Sequence, residues 1–325
     1  MLAKRQLGTA ALGALAVALG AAALSRNRAS SRADARPRKS TRTFSGDAST
    51  QRPTVQAARR LNRAAGLIAT STLLDSGIEH YRGSFINKAM ITPIVVSAAS
   101  LAVSAHGSND RSAAAHRVRD PVYLAAAITG LVGTGFHIYN ITKRPGRFSW
   151  QNLFYGAPLG APAAVALSGL LGYYSERLRD SDASRGAPRV FGIPAGRALA
   201  SLTALGLLAT SAEAGLLHFR GAYHDPFMYL PVTVPPVAAG LLAETAMSRP
   251  RKPRKFTRWW LRLTAFMGLA GPCFHIFGVS RNMGGWKDWR QNVLNGPPIP
   301  APPSFTGLAL AGLAALELLE EHPNA

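Results

Sequence analysis

The chain has 325 residues, of which 47% are hydrophobic and only 16% charged. A soluble globular chain usually carries about 25% charged residues. The formal charge of +21, with 37 Lys and Arg against 16 Asp and Glu, first suggests nucleic acid or an anionic membrane surface. The single cysteine, Cys273, excludes an intrachain disulfide framework, a Cys-rich zinc site and covalent c-type haem attachment.

The cations are unevenly placed. Residues 26–63 hold eleven of them, and most of the remaining chain consists of long apolar runs separated by short basic loops. This pattern excludes a basic nucleic-acid-binding face as the leading reading. The low mean hydropathy of +0.06 is an average over a polar stretch and a strongly apolar one.

In chain order, Leu7–Leu24 is the first apolar run. It has the length of a signal-peptide core or an uncleaved anchor and follows Lys4 and Arg5. Residues 1–25 are therefore expected to form an N-terminal hydrophobic anchor or signal-like segment. Residues 26–63, rich in Arg, Ser and Ala, read as a disordered basic tether. Eight further segments approach the roughly 20 apolar residues that a bilayer-spanning helix needs. They lie at about 64–81, 88–106, 121–142, 153–175, 198–218, 226–246, 259–280 and 303–319.

Three stretches of this region repeat. Asp75-Ser-Gly-Ile-Glu-His80-Tyr-Arg82-Gly83 matches Glu213-Ala-Gly-Leu-Leu-His218-Phe-Arg220-Gly221, and Gly130 to His137 matches Gly268 to His275 at the same offset. After a two-residue shift, Gln151-Asn152-Leu-Phe-Tyr-Gly156-Ala-Pro158 matches Gln291-Asn292-Val-Leu-Asn-Gly296-Pro-Pro298. The expected fold is an all-α integral membrane protein. A tandem 4+4 transmembrane helix repeat, residues 64–180 and 181–325 in the same orientation, follows the N-terminal segments.

Alternation of the spans places residues 26–63 on one side with loops 107–120, 176–197 and 247–262. That side collects 26 of the 37 cations and the opposite loops nine. By the positive-inside rule the first side is cytoplasmic, which suits a multi-pass protein of the cell's inner (plasma) membrane.

The residues common to both repeats then fall near the outer surface: His80, Arg82 and His137 in one, His218, Arg220 and His275 in the other. Ionisable residues inside membrane helices are costly and mark functional sites by default. Neutral imidazoles on facing helices suit a bis-His haem b, with His80, His137, His218 and His275 as iron ligands and Arg82 and Arg220 placed for the propionates. A mixed site that adds Asp75 and Glu213 would instead suit non-haem iron or zinc. These acids could also orient a histidine through Nδ1–H or pair with an arginine. In the same layer, Gln151-Asn152 and Gln291-Asn292 are expected to fix a bent return into the membrane.

The expected partners are the lipid bilayer and a redox partner outside it, with no nucleic acid. The expected function is a redox subunit that passes electrons to quinone or another acceptor. A transporter with a polar site on the repeat axis, and a scaffold without chemistry, are the alternatives. The nucleotide-binding Gly-x-x-x-x-Gly-Lys-[Ser/Thr] sequence and the His-Glu-x-x-His metalloprotease pair are both missing from the chain.

Sidedness is directly testable. In a Cys273→Ser background, Arg111→Cys and Arg189→Cys should react with an impermeant maleimide from one side of the membrane. Arg144→Cys and Lys287→Cys should react from the other. Labelling of all four from one side would overturn the proposed alternation.

Overall fold

The computed structural model describes residues 53–181, 186–248 and 254–322. The apolar run Leu7–Leu24 and the basic stretch 26–52 lie outside the described residues. The described chain is helical apart from one two-stranded hairpin. The helices are α1 (Pro53–Arg82), α2 (Thr92–Asn109), α3 (Arg119–Thr142), a short α4 (Trp150–Tyr155) and α5 (Gly160–Arg179). After the hairpin come α6 (Ala195–Arg220), α7 (Leu230–Met247), α8 (Lys255–Arg281), a short α9 (Trp289–Asn295) and α10 (Pro303–Glu321).

Six helical segments are long and apolar enough to cross a membrane: those containing α2, α3, α6, α7, α8 and α10. Large apolar side chains such as Val95, Leu131, Leu205, Phe266 and Leu269 point outward from them. In water such a surface would be an association hazard, whereas in lipid it is the expected solvent-facing one. The chain is an all-helical, multi-pass membrane protein.

One expectation requires correction. Residues 53–63, read as the end of a disordered tether, form the first three turns of α1. Val55, Ala58, Leu61 and Ala65 recur at helical spacing and are buried, so this stretch does have a core-facing stripe. Small alanines carry it, which is why composition alone concealed it. A second difference lies at 153–175, where a single span was expected. The chain instead breaks at Gly156 and restarts at Gly160, giving α4 and α5.

The centre of the bundle is built from α1, α5 and α10. α5 packs along α1 and α3, and α10 packs along α1, α6 and α8. Tight crossings depend on absent side chains. A Cβ on Gly130 would lie 2.2 Å from the Ala166 backbone nitrogen, and one on Gly169 would lie 2.2 Å from that of Ala127. α3 and α5 therefore meet backbone to backbone, as small residues permit in membranes. Between α5 and α6, strands β1 (Arg189–Val190) and β2 (Ile193–Pro194) pair antiparallel. Their two-residue turn, Phe191-Gly192, has positive φ at both positions, as the right-handed twist of a hairpin favours.

Gly130→Val should prevent α3 and α5 from seating and sharply reduce the recovery of monodisperse protein in detergent. Gly135→Val, where a Cβ meets nothing within 4 Å, should leave recovery unchanged. Equal recovery of the two variants would contradict the close crossing.

Candidate functional site

At the end of the bundle away from the basic loops, α1 turns sharply into α2. Ser84 and Phe85 have positive φ there, and Ala222 and Tyr223 do so where α6 turns into α7. The bonding is the same at both turns. Phe85 N donates to His80 O at 3.0 Å, and Tyr223 N donates to His218 O at 3.1 Å. Asn87 caps the following 3₁₀ turn through Ala89 N, and Asp225 does so through Phe227 N.

Each turn is closed by a histidine. His80 Nδ1 donates to Met90 O at 2.6 Å, and His218 Nδ1 donates to Met228 O at 2.7 Å. The other two histidines close the helix breaks. His275 Nδ1 donates to Pro298 O at 2.6 Å, and His137 Nδ1 donates to Pro158 O. A carbonyl can only accept, so the four rings in neutral form carry their proton on Nδ1 and keep the Nε2 lone pair available. Among the described residues, no hydrogen bond to these Nε2 atoms is formed. All four rings are half-buried. His80 lies within electrostatic range of His137, and His218 of His275.

Asn152 and Asn292 tie down the loops before the breaks. Asn152 Nδ2 donates to Pro145 O at 2.9 Å and to Arg147 O at 2.7 Å, and Asn292 Nδ2 donates to Met283 O at 3.1 Å and to Gly285 O at 2.8 Å. Gly156 and Gly296 follow because a Cβ there would strike Asn152 O or Asn292 O at 2.2 and 2.3 Å. The amides thus hold their own loops and do not reach the histidines.

The expected partners of the acids are also replaced. Asp75 and Glu213 do not bond the histidine Nδ1 atoms, which the backbone already occupies. Glu213 receives the Gly160 N–H at the start of α5, and a side chain at 160 would land on its carboxylate. Asp75 is in electrostatic range of Glu79, Glu213 and Arg82. Arg82 pairs with Glu79 at 2.5 Å and reaches Leu294 O at 3.3 Å. Arg220 lies over the Phe154 and Tyr155 rings. Among the described residues, no three His, Cys, Asp or Glu side chains gather into a metal cage. The four histidines and two acids therefore do not assemble as one mixed metal centre there.

A second polar centre, at the basic end, was not anticipated. Glu176 is fully buried and takes Arg119 in a two-point pair, Nε to Oε1 at 2.9 Å and Nη2 to Oε2 at 3.1 Å. Arg119 also reaches Asp110 at 2.8 Å and His106 Nδ1 at 3.1 Å. Arg179 donates to the carbonyls of Gly107, Asp110 and Ser112 and so pins the α2–α3 loop. Above the ion cluster, Tyr123 joins Asn62 and Ser104, and Ser100 meets Ser168 at 2.9 Å. The clue in the sequence was slight: Ser97, Ser100 and Ser104 share one face of α2, and Glu176 and Arg179 sit one turn apart.

Searches against protein-family models, curated proteins and solved structures find no match to this chain.

The buried cluster yields a stability prediction. Glu176→Leu leaves Arg119 and Arg179 facing a lost counter-charge and should destabilise the fold by roughly 3–5 kcal/mol. Thermal unfolding in detergent measures this, and a change within error would refute the pairing. The Asp110 carboxyl is affected by burial, which raises its pKa. The Ser112 N–H and Arg119 outweigh that effect and hold it below the ordinary carboxylate range. Its contribution is thus complete above the unfolded value of about 3.9 and disappears as pH falls through the lower folded value. Asp110→Asn should flatten the acid limb of stability below about pH 3.9 and leave the dependence at neutral pH unchanged.

Proposed function

We propose that this protein is a redox subunit of the cell's inner membrane that binds haem b at its outer face. Electrons would pass between a partner outside the membrane and quinone or another acceptor within it. The observation that carries the reading is the uniform fixing of four imidazoles through Nδ1, which leaves four Nε2 donors for iron. Ligating histidines commonly hold their other ring nitrogen on a carbonyl in this way. Pairing His80 with His137 and His218 with His275 gives one bis-His site in each half, and two imidazoles suffice for haem where a compact metal ion needs a larger cage. Arg220, with no carboxylate partner among the described residues, supplies a guanidinium for a propionate. Arg82 would exchange Glu79 for one.

The reading includes the tandem 4+4 architecture. It is supported by the matching turns, the matching histidine and asparagine bonds, and the order of helices. Contacts exchanged between the halves add to it: α4 meets the end of α6 through Trp150 and Phe219, and α9 meets the end of α1 through Arg290 and Tyr81. The basic end is then cytoplasmic by the positive-inside rule.

The full chain, expressed with adequate haem, should purify with a Soret band and about two haem groups, one per histidine pair. His80→Ala should remove about half of the colour, and His80→Ala with His218→Ala nearly all. Colourless, iron-free protein would sink the proposal. Thermal unfolding of the same variants separates lost ligation from the loss of a turn tie.

A second reading has one specific support, the electrostatic proximity of Asp75 to Glu213 across the halves. Two acids at that position suit a transport site on the repeat axis. Substrate flux in proteoliposomes, abolished by Asp75→Asn and Glu213→Gln, would favour it over haem binding. Retention of cellular function without all four histidines would favour a scaffold.

A further inference from the structure

The geometry points to a binding site for one anionic phospholipid in the groove between α1 and α2 at the basic end. The inference rests on the membrane placement proposed above. The groove holds about 360 Å³, within the usual range of roughly 300–1,000 Å³ for ligand sites. Leu67, Leu101 and Leu310 supply its apolar wall, and Thr70 lies at its deep end. Arg63 and Ser108 mark its mouth.

The dimensions suit a lipid. From Asn62 to Thr70 the helix advances about 12 Å, while half of the hydrocarbon core is about 15 Å thick. One acyl chain can therefore lie in the groove with its phosphate at headgroup level. Gly66 forms the floor: a Cβ there would sit 3.1 Å from Ser104 Cβ, so a larger residue would crowd the channel.

The charge complements a phosphate. Arg63 is exposed and enters no ion pair among the described residues. Arg59, one turn earlier, donates Nε to Ser108 O at 2.9 Å and is thereby held beside the mouth. Arg60 instead turns away to Glu317. Basic pockets between membrane helices on the cytoplasmic side select anionic headgroups. The corresponding position of the second half provides an internal contrast: 138 residues after Arg63 stands Ser201, and after Gly66 stands Ala204. The groove is therefore assigned to the first half alone.

The test uses the full chain in nanodiscs of phosphatidylglycerol and phosphatidylcholine, followed by detergent extraction and mass spectrometry of the retained lipid. The wild type should retain phosphatidylglycerol preferentially. Arg63→Gln should lower that retention roughly fivefold, the effect of one cation at an anionic surface, and Leu67→Trp should displace the lipid by filling the groove. Equal retention of the two lipids, or loss on Arg63→Gln without loss on Leu67→Trp, would overturn the proposal. In the latter case the surface charge would act without the groove. Carbonate-washed membrane pelleting of the same proteins is read in parallel. A wild type that pellets with the membrane but shows no lipid preference counts against the groove alone, whereas failure of the wild type to pellet counts against the membrane placement.

Discussion

The fold depends on a constraint set by hydrocarbon: a backbone carbonyl freed where a helix stops has no water to bond. The described residues stop their helices repeatedly at one end of the bundle. At each stop a side chain takes over. His80 and His218 serve Met90 and Met228, His137 and His275 serve Pro158 and Pro298, and Asn152 and Asn292 hold two carbonyls each. The turns and helix breaks at that end are held by these six side chains. An unsatisfied buried acceptor would cost about 1–3 kcal/mol each.

The two ends of the bundle solve the polar problem differently. At the basic end the solution is ionic. Glu176, Arg119, Arg179 and Asp110 are gathered from two helices and a loop, and the hydroxyls of Ser100, Ser104, Tyr123 and Ser168 continue inward from them. On the proposed repeat this cluster belongs to the first half only. Tyr123 corresponds to Leu261, Ser104 to Leu242 and Glu176 to Leu316, each of them buried. The second half fills the same crossings with apolar packing and ties its own basic end at the rim, through Arg258 and Glu320 at 2.6 Å. Such an exchange of a buried ion pair for leucines need not cost stability, because desolvation offsets much of the ionic attraction.

Much of the layer of turns away from the basic loops was legible in the sequence, since its residues recur at nearly one offset and fall at the ends of apolar runs. His80 and His218, or Asn152 and Asn292, could be matched without any structure. What they bond could not be read. Sequence placed the acids as natural partners of imidazole, but the nearest acceptors are carbonyls ten to twenty-three positions along the chain, exposed only by the turn itself. The ion cluster was hidden for a different reason: its members stand at 110, 119, 176 and 179, all in two stretches that appeared to be merely basic loops, and no repeat mate draws attention to them. The first turns of α1 were obscured by composition, because alanines at helical spacing pack well but look like a polar stretch when interleaved with arginine.

Saturation decides which end can react. Glu176 has both oxygens occupied by Arg119, with Ser175 and the His116 N–H completing its shell. Arg119 spends its guanidinium on Glu176, Asp110 and His106, and Arg179 spends its terminal nitrogens on three carbonyls. A ligand there would have to displace bonds that hold the fold. At the opposite end each imidazole satisfies the backbone with one nitrogen and has a second left over. The same proton that closes a turn fixes the ring plane and aims Nε2, so the structural tie and the capacity to ligate come from one side chain without competing. A chain that used lysine or asparagine for these carbonyls would fold the turns equally well but would have no aromatic nitrogen donor to offer. The choice of histidine at all four positions is therefore what chemistry beyond packing would require, and it places the search for function at the end of the molecule with the fewest charges.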